Sequence, residues 1–289
     1  MDIGIGLPST VPGAPGSEIT GWARAAEAAG FSTLGTLDQV VFDNDDPLPV
    51  LAAAAAVTDR IGLMTSILIA PYRGNGALLA KQLASVDRLS NGRLTVGIAV
   101  GTRRDDYDVT GSLYDGRGRA MDDLLSRMQP IWADDRSDSA AIGPEPVRRG
   151  GPPLLIGGTG RAALCRVAEF GSGWIAGGGD PAAFAEVAQS ARTAWTDADR
   201  TGSLRTAALA YFSFGPDAAA DATRYLGDYY GFADPYAKHT IAAALTTPDK
   251  VRDAIVAYSD AGCDELIIFP CTSDPAALQR LADVLSSAR

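Results

Sequence analysis

Apolar runs recur at nearly even spacing through the first third of the chain, and a helical pattern follows each of them. The runs are Ile3–Leu7, Phe31–Leu37, Ile61–Ile69 and Leu94–Val100. Their spacing of roughly thirty residues is the length of one strand–helix–strand unit. Parallel strands need a crossover helix to return the chain, so this rhythm predicts a parallel sheet.

The rhythm resumes later in the chain and reaches eight strands. Four further strands are expected at Leu154–Ile156, Gly173–Ala176, Leu204–Phe214 and Glu265–Phe269. Eight strands with eight principal helices predict an α/β fold, the (β/α)8 TIM barrel. Such a barrel takes about 250 residues, so we expect one domain over residues 1–289. Reactive side chains should follow the carboxyl ends of the strands.

Two stretches break the rhythm and predict insertions. Residues 133–152, after the fourth principal helix, are dominated by Asp, Ser, Gly, Pro and Arg and predict a loop or small hairpin. Residues 215–247, after the seventh strand, are rich in Ala and Tyr and predict helices. At finer detail, we expect Ser17 to cap the first helix and the segment through Tyr107 and Gly111 to be a loop.

Composition narrows the classes of protein. A hydrophobic content of 46% with 21% charged residues is typical of a soluble globular protein. The net charge of −10 and the lack of a basic stripe disfavour nucleic acid or an anionic membrane as partner. No apolar run reaches the roughly 18 residues of a membrane span, and no signal peptide follows Met1. Cys165, Cys263 and Cys271 lack metal-site spacing; we expect buried small apolar residues in a cytoplasmic protein.

The most distinctive strand end is the fifth, where Leu154–Ile156 runs into glycines and then a helix. Backbone N–H groups and the helix dipole at Gly157–Arg161 would hold a phosphate, with Thr159 and Arg161 as added donors. A second glycine run, Gly177–Gly179 after strand six, supports that interpretation, because loops at this end of a barrel often share one phosphate. Two alternatives stay open: the loose dinucleotide fingerprint Gly158–Ala163 and a purely structural turn.

Three other strand ends offer candidate ligand contacts. The apolar side chains of the segment Thr65–Arg73 could support a flat heteroaromatic ring, or the segment is an ordinary buried strand. Arg103, after strand four, could reach the barrel mouth, or join its charged neighbours in a surface network. Asp38 and Gln39 close strand two and could bond a ligand, although Asp38 could instead cap the next loop.

Absent residue types restrict the chemistry. The lysines Lys81, Lys238 and Lys250 end no predicted strand, which disfavours a Schiff-base aldolase. The only histidine, His239, lies in the second insertion, where we expect it to be exposed or structural. No metal site is therefore expected, and no pair of Glu residues at strand ends indicates a glycosidase. A phosphate site with little acid–base equipment favours a bound cofactor that carries the chemistry.

With these pieces placed, the chain resembles the bacterial luciferase-like superfamily of flavin- and deazaflavin-dependent oxidoreductases over nearly its whole length. The strongest carriers are Ala80–Leu94 and the following Val96–Gly101. Weaker support comes from short segments, namely Ala29–Phe31, Ala54–Leu63, Asp105–Tyr107 with Gly111, and Ile156–Gly158.

The resemblance implies a barrel that holds an isoalloxazine ring, or its deaza analogue, at the mouth and a phosphate at Gly157–Arg161. It also implies a non-proline cis peptide beneath the ring, for which Ser66–Ile67 is the candidate. One departure concerns the end of strand two, where many relatives carry Asp-His and this chain has Asp38-Gln39. Glutamine can orient a substrate but cannot act as an acid or base near neutral pH.

Together these expectations describe an oxidoreductase that acts on a small organic substrate. The cofactor would be FMN, reduced and used with O2 for monooxygenation, or coenzyme F420, used for hydride transfer. Alternatives are a barrel isomerase or lyase acting on a phosphorylated substrate, and a non-catalytic flavin-binding relative. The resemblance also points to a homodimer and, with FMN, to a separate reductase as partner.

The candidate residues fall into three groups. Gln39 and Arg103 are the catalytic candidates, and Tyr72, Arg73 and Tyr107 are expected to contact the substrate. The expected cofactor-binding residues are Asp38, Ser66, Ile67, Gly101, Gly157, Gly158, Thr159, Gly160, Arg161, Gly177 and Gly178.

Overall fold

Eight parallel strands close into a barrel in the computed structural model, which describes residues 1–133 and 142–287. Each strand pairs with its sequence neighbours, and β1 pairs with β8 to close the ring. The predicted (β/α)8 TIM barrel is thus confirmed. The strands are β1 (Asp2–Gly6), β2 (Thr33–Thr36), β3 (Gly62–Ile69), β4 (Leu94–Ala99), β5 (Leu154–Gly157), β6 (Gly173–Gly178), β7 (Arg205–Phe212) and β8 (Glu265–Pro270).

Helices follow the strands around the outside. They are α1 (Gly16–Ala29), α2 (Pro47–Ala55), α3 (Gly76–Leu89), α4 (Arg104–Val109), α5 (Arg117–Trp132), α6 (Arg161–Phe170), α7 (Pro181–Asp197), α8 (Ala218–Tyr229), α9 (Asp234–Ala242), α10 (Pro248–Asp260) and α11 (Pro275–Ser286). None of the described helices is long and apolar enough to cross a membrane.

The strands are covered on both faces, which explains their nearly continuous apolar sequences. Leu34, Leu63 and Ile268 are fully buried, for example. Two irregularities lie near the carboxyl ends: the register shifts between Thr65 and Leu68 in β3 and between Ile175 and Gly178 in β6. Bulges of this kind re-aim side chains next to functional sites.

Three local predictions are corrected. Ser17 does not cap α1, which begins one residue earlier at Gly16, after Pro15, without a side-chain cap. The segment through Tyr107 forms α4 instead of a loop, with Asp105 and Asp106 in its first turn, where negative charge suits the helix dipole. Cys165 is exposed, because α6 turns other residues toward the barrel, whereas Cys263 and Cys271 are buried as expected.

Strand β6 is longer than predicted and contains both Gly177 and Gly178. The shift in register after Ile175 lets the strand continue, so that Gly178 pairs with Leu209 of β7. Gly177 and Gly178 are therefore part of the barrel wall and not of a loop as the sequence predicted, whereas Gly179 follows the strand.

The two insertions have different outcomes. The predicted helical insertion at 215–247 contains α8 and α9 and covers the carboxyl-terminal mouth of the barrel. Of the first insertion, residues 134–141 lie outside the described part of the chain, and residues 142–152 form neither helix nor strand. Hydrogen bonds from Lys81 Nζ to the Gly143 carbonyl and from the Val147 N–H to Asp87 attach this segment to α3.

Candidate active site

A cavity of about 510 Å³ lies at the carboxyl ends of the strands, beneath the insertion. This is the face on which barrel enzymes carry their ligands. The lining is mostly apolar or glycine. It comprises Leu37, Asp38, Gln39, Ser66, Ile67, Ile69, Ala99, Val100, Gly101, Thr102, Arg103, Asp106, Tyr107, Gly157, Gly158, Gly177, Leu209, Tyr229, Tyr230, Phe232, Ala233 and Tyr236.

The carboxyl end of β3 forms one wall of this cavity. The Ser66–Ile67 peptide bond is cis, as the resemblance implied. Ser66 is fully buried, and its hydroxyl has no hydrogen-bond partner among the described residues. A buried hydroxyl without a partner costs free energy, so Ser66 offers a ligand a donor and an acceptor.

Opposite charges are paired at the ends of β2 and β3. Asp38 accepts a hydrogen bond of 2.9 Å from the Ile69 N–H and forms an ion pair of 3.0 Å with Arg73. Burial raises the pKa of the Asp38 carboxyl, and the Arg73 guanidinium and the Ile69 N–H oppose that rise. Arg73 also contacts Asp46. Asp38 therefore faces the cavity with its oxygens already engaged.

Tyr72 and Arg73, expected to contact substrate, are not among the lining residues. Both stand behind Asp38, because the guanidinium turns toward that carboxylate and the Tyr72 ring packs edge-on against Tyr107. Burial raises the pKa of Tyr72, so its hydroxyl stays protonated.

The catalytic candidates Gln39 and Arg103 both line the cavity and are bonded to each other. Arg103 Nη1 donates to Gln39 Oε1 at 2.7 Å, and Gln39 Nε2 donates to the Tyr229 carbonyl at 3.0 Å. The guanidinium also lies 5.2 Å from the centroid of the Phe232 ring. Gln39 thus bridges the loop after β4 to the insertion, which is a positioning arrangement and not an acid–base one.

The loop after β4 is fixed by its own polar groups. Asp106 is buried and accepts hydrogen bonds from the N–H groups of Val40 and Val41 at 3.1 and 2.8 Å. Tyr107 lines the cavity, but its hydroxyl donates to the Val100 carbonyl. Gly101 has φ +66°, and a Cβ there would lie 2.8 Å from Ile69 Cγ2, so a side chain would be strained.

The glycine-rich corner between β5 and α6 is open. Gly157 and Gly158 line the cavity, whereas Thr159, Gly160 and Arg161 are exposed just beyond it. Gly160 precedes α6, and no side chain caps the helix there. A helix N-terminus without a side-chain cap leaves N–H groups of its first turn that can bind an anion, and this one lies beside the cavity.

The cavity wall supplied by the insertion was missed by the sequence analysis. Tyr229, Tyr230, Phe232 and Tyr236 all line the cavity. The Tyr236 hydroxyl donates to the carbonyl of Gly178, a residue that does not itself line the cavity. The tyrosine-rich composition of 215–247 was the available signal, but it did not show which rings turn inward.

The described residues hold no group of three or more His, Cys, Asp or Glu side chains placed to bind a metal ion. His239 is exposed, as expected, and its Nε2 lies 3.2 Å from Asp180 Oδ2.

A closed parallel barrel with a mostly apolar cavity at its mouth defines a TIM-barrel protein with a built ligand site. More specifically, the chain belongs to the luciferase-like monooxygenase family, whose model matches residues 1–244. The resemblance found in the sequence is confirmed.

Relatives of known sequence match part of the chain. An uncharacterized protein of Mycobacterium tuberculosis is 29% identical over 190 residues, which is 55% of this chain and 65% of that protein. An FMNH2-dependent dimethylsulfone monooxygenase of Pseudomonas fluorescens is 30% identical over 175 residues, 54% of this chain and 46% of that enzyme. The matched segment thus spans between about half and two thirds of these relatives.

Solved structures match the whole fold. The monooxygenase RslO1 from Streptomyces bottropensis superposes with a TM-score of 0.79 at 21% identity, covering 100% of this chain and 99% of that one. An F420-dependent secondary alcohol dehydrogenase gives 0.81 at 18% identity over 100% and 99% of the two chains. FMN and F420, the two cofactors expected from the sequence, are the ones that the names of these relatives mention.

Proposed function

We propose that this chain is an oxidoreductase that uses FMN or coenzyme F420 on a small organic substrate. The observation that carries the proposal is the continuity of a mostly apolar cavity with an uncapped, glycine-rich helix N-terminus at Gly157–Arg161. The apolar cavity suits a flat ring, and the helix N-terminus suits the phosphate attached to that ring.

The residues of the cavity fit a flat ring at the end of β3. A Cβ at Gly157 would lie 3.0 Å from Ile67 Cδ1 and 3.1 Å from Ala99 Cβ. Glycine therefore leaves free the space beside these two side chains that a larger residue would fill. The unpartnered Ser66 hydroxyl would gain a partner from the ring's polar edge.

The phosphate would lie at the first turn of α6. Backbone N–H groups near Thr159 and Gly160 would donate to its oxygens, and Arg161 would add a charged donor. Gly158 has φ +118°, a conformation that side chains rarely adopt, so a substitution there would reshape the corner.

A cofactor bound here supplies the redox chemistry: hydride transfer in the case of F420, and oxygen activation in the case of reduced FMN. The protein's own residues orient the ligands and exclude water. Gln39 and Arg103 hold the insertion over the mouth, and Asp38 stays bonded to Arg73. Gln39 moves no proton, because an amide is neither acid nor base near neutral pH.

The relatives support this proposal without selecting the cofactor. If FMN is used, a separate reductase would supply it in reduced form, as expected from the resemblance. A homodimer likewise stays a proposal.

A barrel isomerase or lyase acting on a phosphorylated substrate is the weaker candidate. It needs an acid or base at a strand end, and Asp38 is the one the sequence offered. Both oxygens of Asp38 are bonded, to the Ile69 N–H and to Arg73, which argues against that role.

Titration of the purified protein with FMN and, separately, with F420 tests the proposal. We expect one of them to bind at micromolar concentration, followed by fluorescence and by a rise in melting temperature. Binding of a sugar phosphate, with no binding of either cofactor, would show that the proposal is wrong.

A further inference from the structure

The insertion contributes a wall of tyrosines to the cavity, and their hydroxyl groups can be assigned as donors and acceptors. Tyr211 of β7 and Tyr230, just after α8, are joined by a hydrogen bond between their hydroxyls. Burial raises the pKa of both, so each carries one proton at neutral pH. Tyr211 is 2% exposed and Tyr230 is 9% exposed.

The direction of this hydrogen bond follows from what surrounds Tyr211. Among the described residues, Tyr230 is the hydrogen-bond partner within reach of the Tyr211 hydroxyl. If Tyr230 were the donor, the Tyr211 proton would be buried without an acceptor, at a cost of about 1–3 kcal/mol. Tyr211 is therefore the donor, and the Tyr230 hydroxyl donates its own proton to a different acceptor.

Tyr236 shows where this wall meets the barrel. A Cβ at Gly177 would lie 3.0 Å from the Tyr236 hydroxyl, so that hydroxyl takes the place of a side chain on β6. Tyr236 gives its own proton to the Gly178 carbonyl at 2.7 Å. Its ring meets that of Tyr230 edge to face, with 4.8 Å between centroids. The Tyr230 proton can thus go to the Tyr236 oxygen or to a ligand oxygen.

Each charged residue of the cavity lining has an opposite charge within 4 Å among the described residues, although the Arg103 Nε–H has no hydrogen-bond partner there. The charged residues of the lining are Asp38, Arg103 and Asp106. Asp38 is paired with Arg73, and Arg103 Nε lies 3.9 Å from Asp106 Oδ1. Arg103 Nη2 also lies 3.9 Å from Asp105 Oδ2. An anionic substrate beside Arg103 would also lie near the carboxylates of Asp105 and Asp106, which makes its burial less favourable than that of an uncharged molecule.

We infer that the substrate subsite lies against Tyr230 and Tyr236 and takes an uncharged, largely apolar molecule whose oxygen accepts a hydrogen bond from the Tyr230 hydroxyl. This inference rests on the proposed function, because the cofactor ring is what leaves this side of the cavity to the substrate. It gives the insertion a direct role in substrate choice.

Three probes of similar shape test the inference: acetophenone, ethylbenzene and benzoate. Binding is measured by isothermal titration calorimetry to the protein loaded with oxidised FMN or with F420. Acetophenone should bind most tightly, with benzoate weaker by about tenfold or more, because the Asp105 and Asp106 carboxylates near Arg103 repel an anion and a buried carboxylate loses its hydration. Failure of both cofactors to bind would reject the proposed function. Cofactor binding with benzoate preferred, or with no probe bound, would overturn this inference alone.

Two matched variants examine the hydroxyl itself. Tyr230→Phe should weaken acetophenone binding by about 3- to 10-fold and leave ethylbenzene unchanged, since one hydrogen bond is lost. Tyr225→Phe is the control: Tyr225 is buried in the same cluster, but its hydroxyl bonds to Thr10 Oγ1 and it does not line the cavity.

The double variant Y211F/Y230F guards against a folding defect, because it removes both partners of the bond and leaves no orphaned hydroxyl. It should show the same selective loss of acetophenone affinity. Equal affinity of acetophenone for the wild type and both Tyr230 variants would show that Tyr230 does not contact the substrate oxygen.

Discussion

The two ends of the barrel use polar side chains in opposite ways. At the amino-terminal end, Arg93 makes five hydrogen bonds, four of them to backbone carbonyls and one to the Thr58 hydroxyl. Glu27 accepts from the N–H groups of three successive residues, 59–61. At the carboxyl-terminal end, the Ser66 hydroxyl has no partner among the described residues, and the hydroxyl of Tyr230, which lines the cavity, is bonded to that of Tyr211.

This difference separates stability from function within one fold. At the amino-terminal end, here called the closed end, Arg93 and Glu27 hold helix–strand turns by several hydrogen bonds. At the carboxyl-terminal end, here called the open end, the proposed function uses donors such as Ser66 to bind ligands. Substitutions at the closed end should therefore change the free energy of unfolding, and substitutions at the open end should change ligand affinity.

The largest expected effect is on stability, at the closed end. Arg93→Met should lower the free energy of unfolding by about 3–5 kcal/mol, since it leaves several carbonyls without a donor. Urea denaturation measures this. Arg88→Met, an exposed arginine of α3, is the control and should change stability by no more than about 0.5 kcal/mol. A similar loss in both variants would contradict the assignment.

At the open end, Arg161→Ala should weaken binding of FMN or F420 by about 1.5–3 kcal/mol, because a charged donor to the phosphate is removed. Fluorescence titration gives the dissociation constant, and Arg24→Ala, an exposed arginine of α1, is the control. Unchanged affinity in the Arg161 variant would mean that its side chain takes no part in phosphate binding.

Substitution of Gln39 tests whether side chains at the open end also stabilise the fold, because Gln39 links Arg103 to the Tyr229 carbonyl. Gln39→Leu leaves the Tyr229 carbonyl and one Arg103 donor unpaired, at a cost of about 1–3 kcal/mol in stability. Limited trypsin digestion should then cut the insertion faster at Arg224 or Lys238. Gln39→Glu keeps the acceptor for Arg103 and should lose less. If both variants are digested at the wild-type rate, the hydrogen bonds of Gln39 do not hold the insertion on the barrel.

The smallest effect concerns pH at the closed end. The backbone N–H groups at Ile61, Arg60 and Asp59 lower the pKa of Glu27 despite partial burial. Its stabilisation is thus fully present above the ordinary glutamate pKa of about 4.3 and is lost as the pH falls through the lowered value.

Glu27→Gln removes that dependence. The variant should be less stable than the wild type by about 0.5–1 kcal/mol at pH 7, because the site is partly exposed, and the gap should close in acid. Thermal unfolding at a series of pH values measures it. A gap that stays constant down to pH 3 would contradict the lowered pKa.

The barrel could be predicted from the sequence because most of its strands are apolar runs followed by a helical pattern. Each strand–helix unit can therefore be recognised from its own stretch of sequence. Ala80–Leu94, the strongest carrier of the family resemblance, contributes no residue to the cavity lining, and it ends beside the turn that Arg93 holds by hydrogen bonds. The carriers after β4 and β5 do reach the cavity, through Ala99–Gly101, Asp106, Tyr107, Gly157 and Gly158.

Site residues could be predicted from the sequence only where a single strand end places them at the cavity. Gly157 ends β5 and Gly158 follows it, so their place beside the cavity could be inferred. The bond from Gln39 to the Tyr229 carbonyl joins residues 190 positions apart, and no local pattern contains such a contact. The inward turn of the tyrosines likewise depends on how α8 and α9 dock on the barrel.

The hydroxyl of Tyr236 standing in for a side chain at Gly177 has a kinetic consequence. Helix α9 has nine residues and no side-chain cap, so by itself it would be marginal in water. Helix α9 is therefore stabilised by its packing on the barrel. The cavity wall beside Gly177 of β6 is complete only when α9 is packed there, because α9 carries Tyr236. If ligands pass on this side of the cavity, one short helix must unfold locally, and amide hydrogen exchange in α9 should then report the rate of passage.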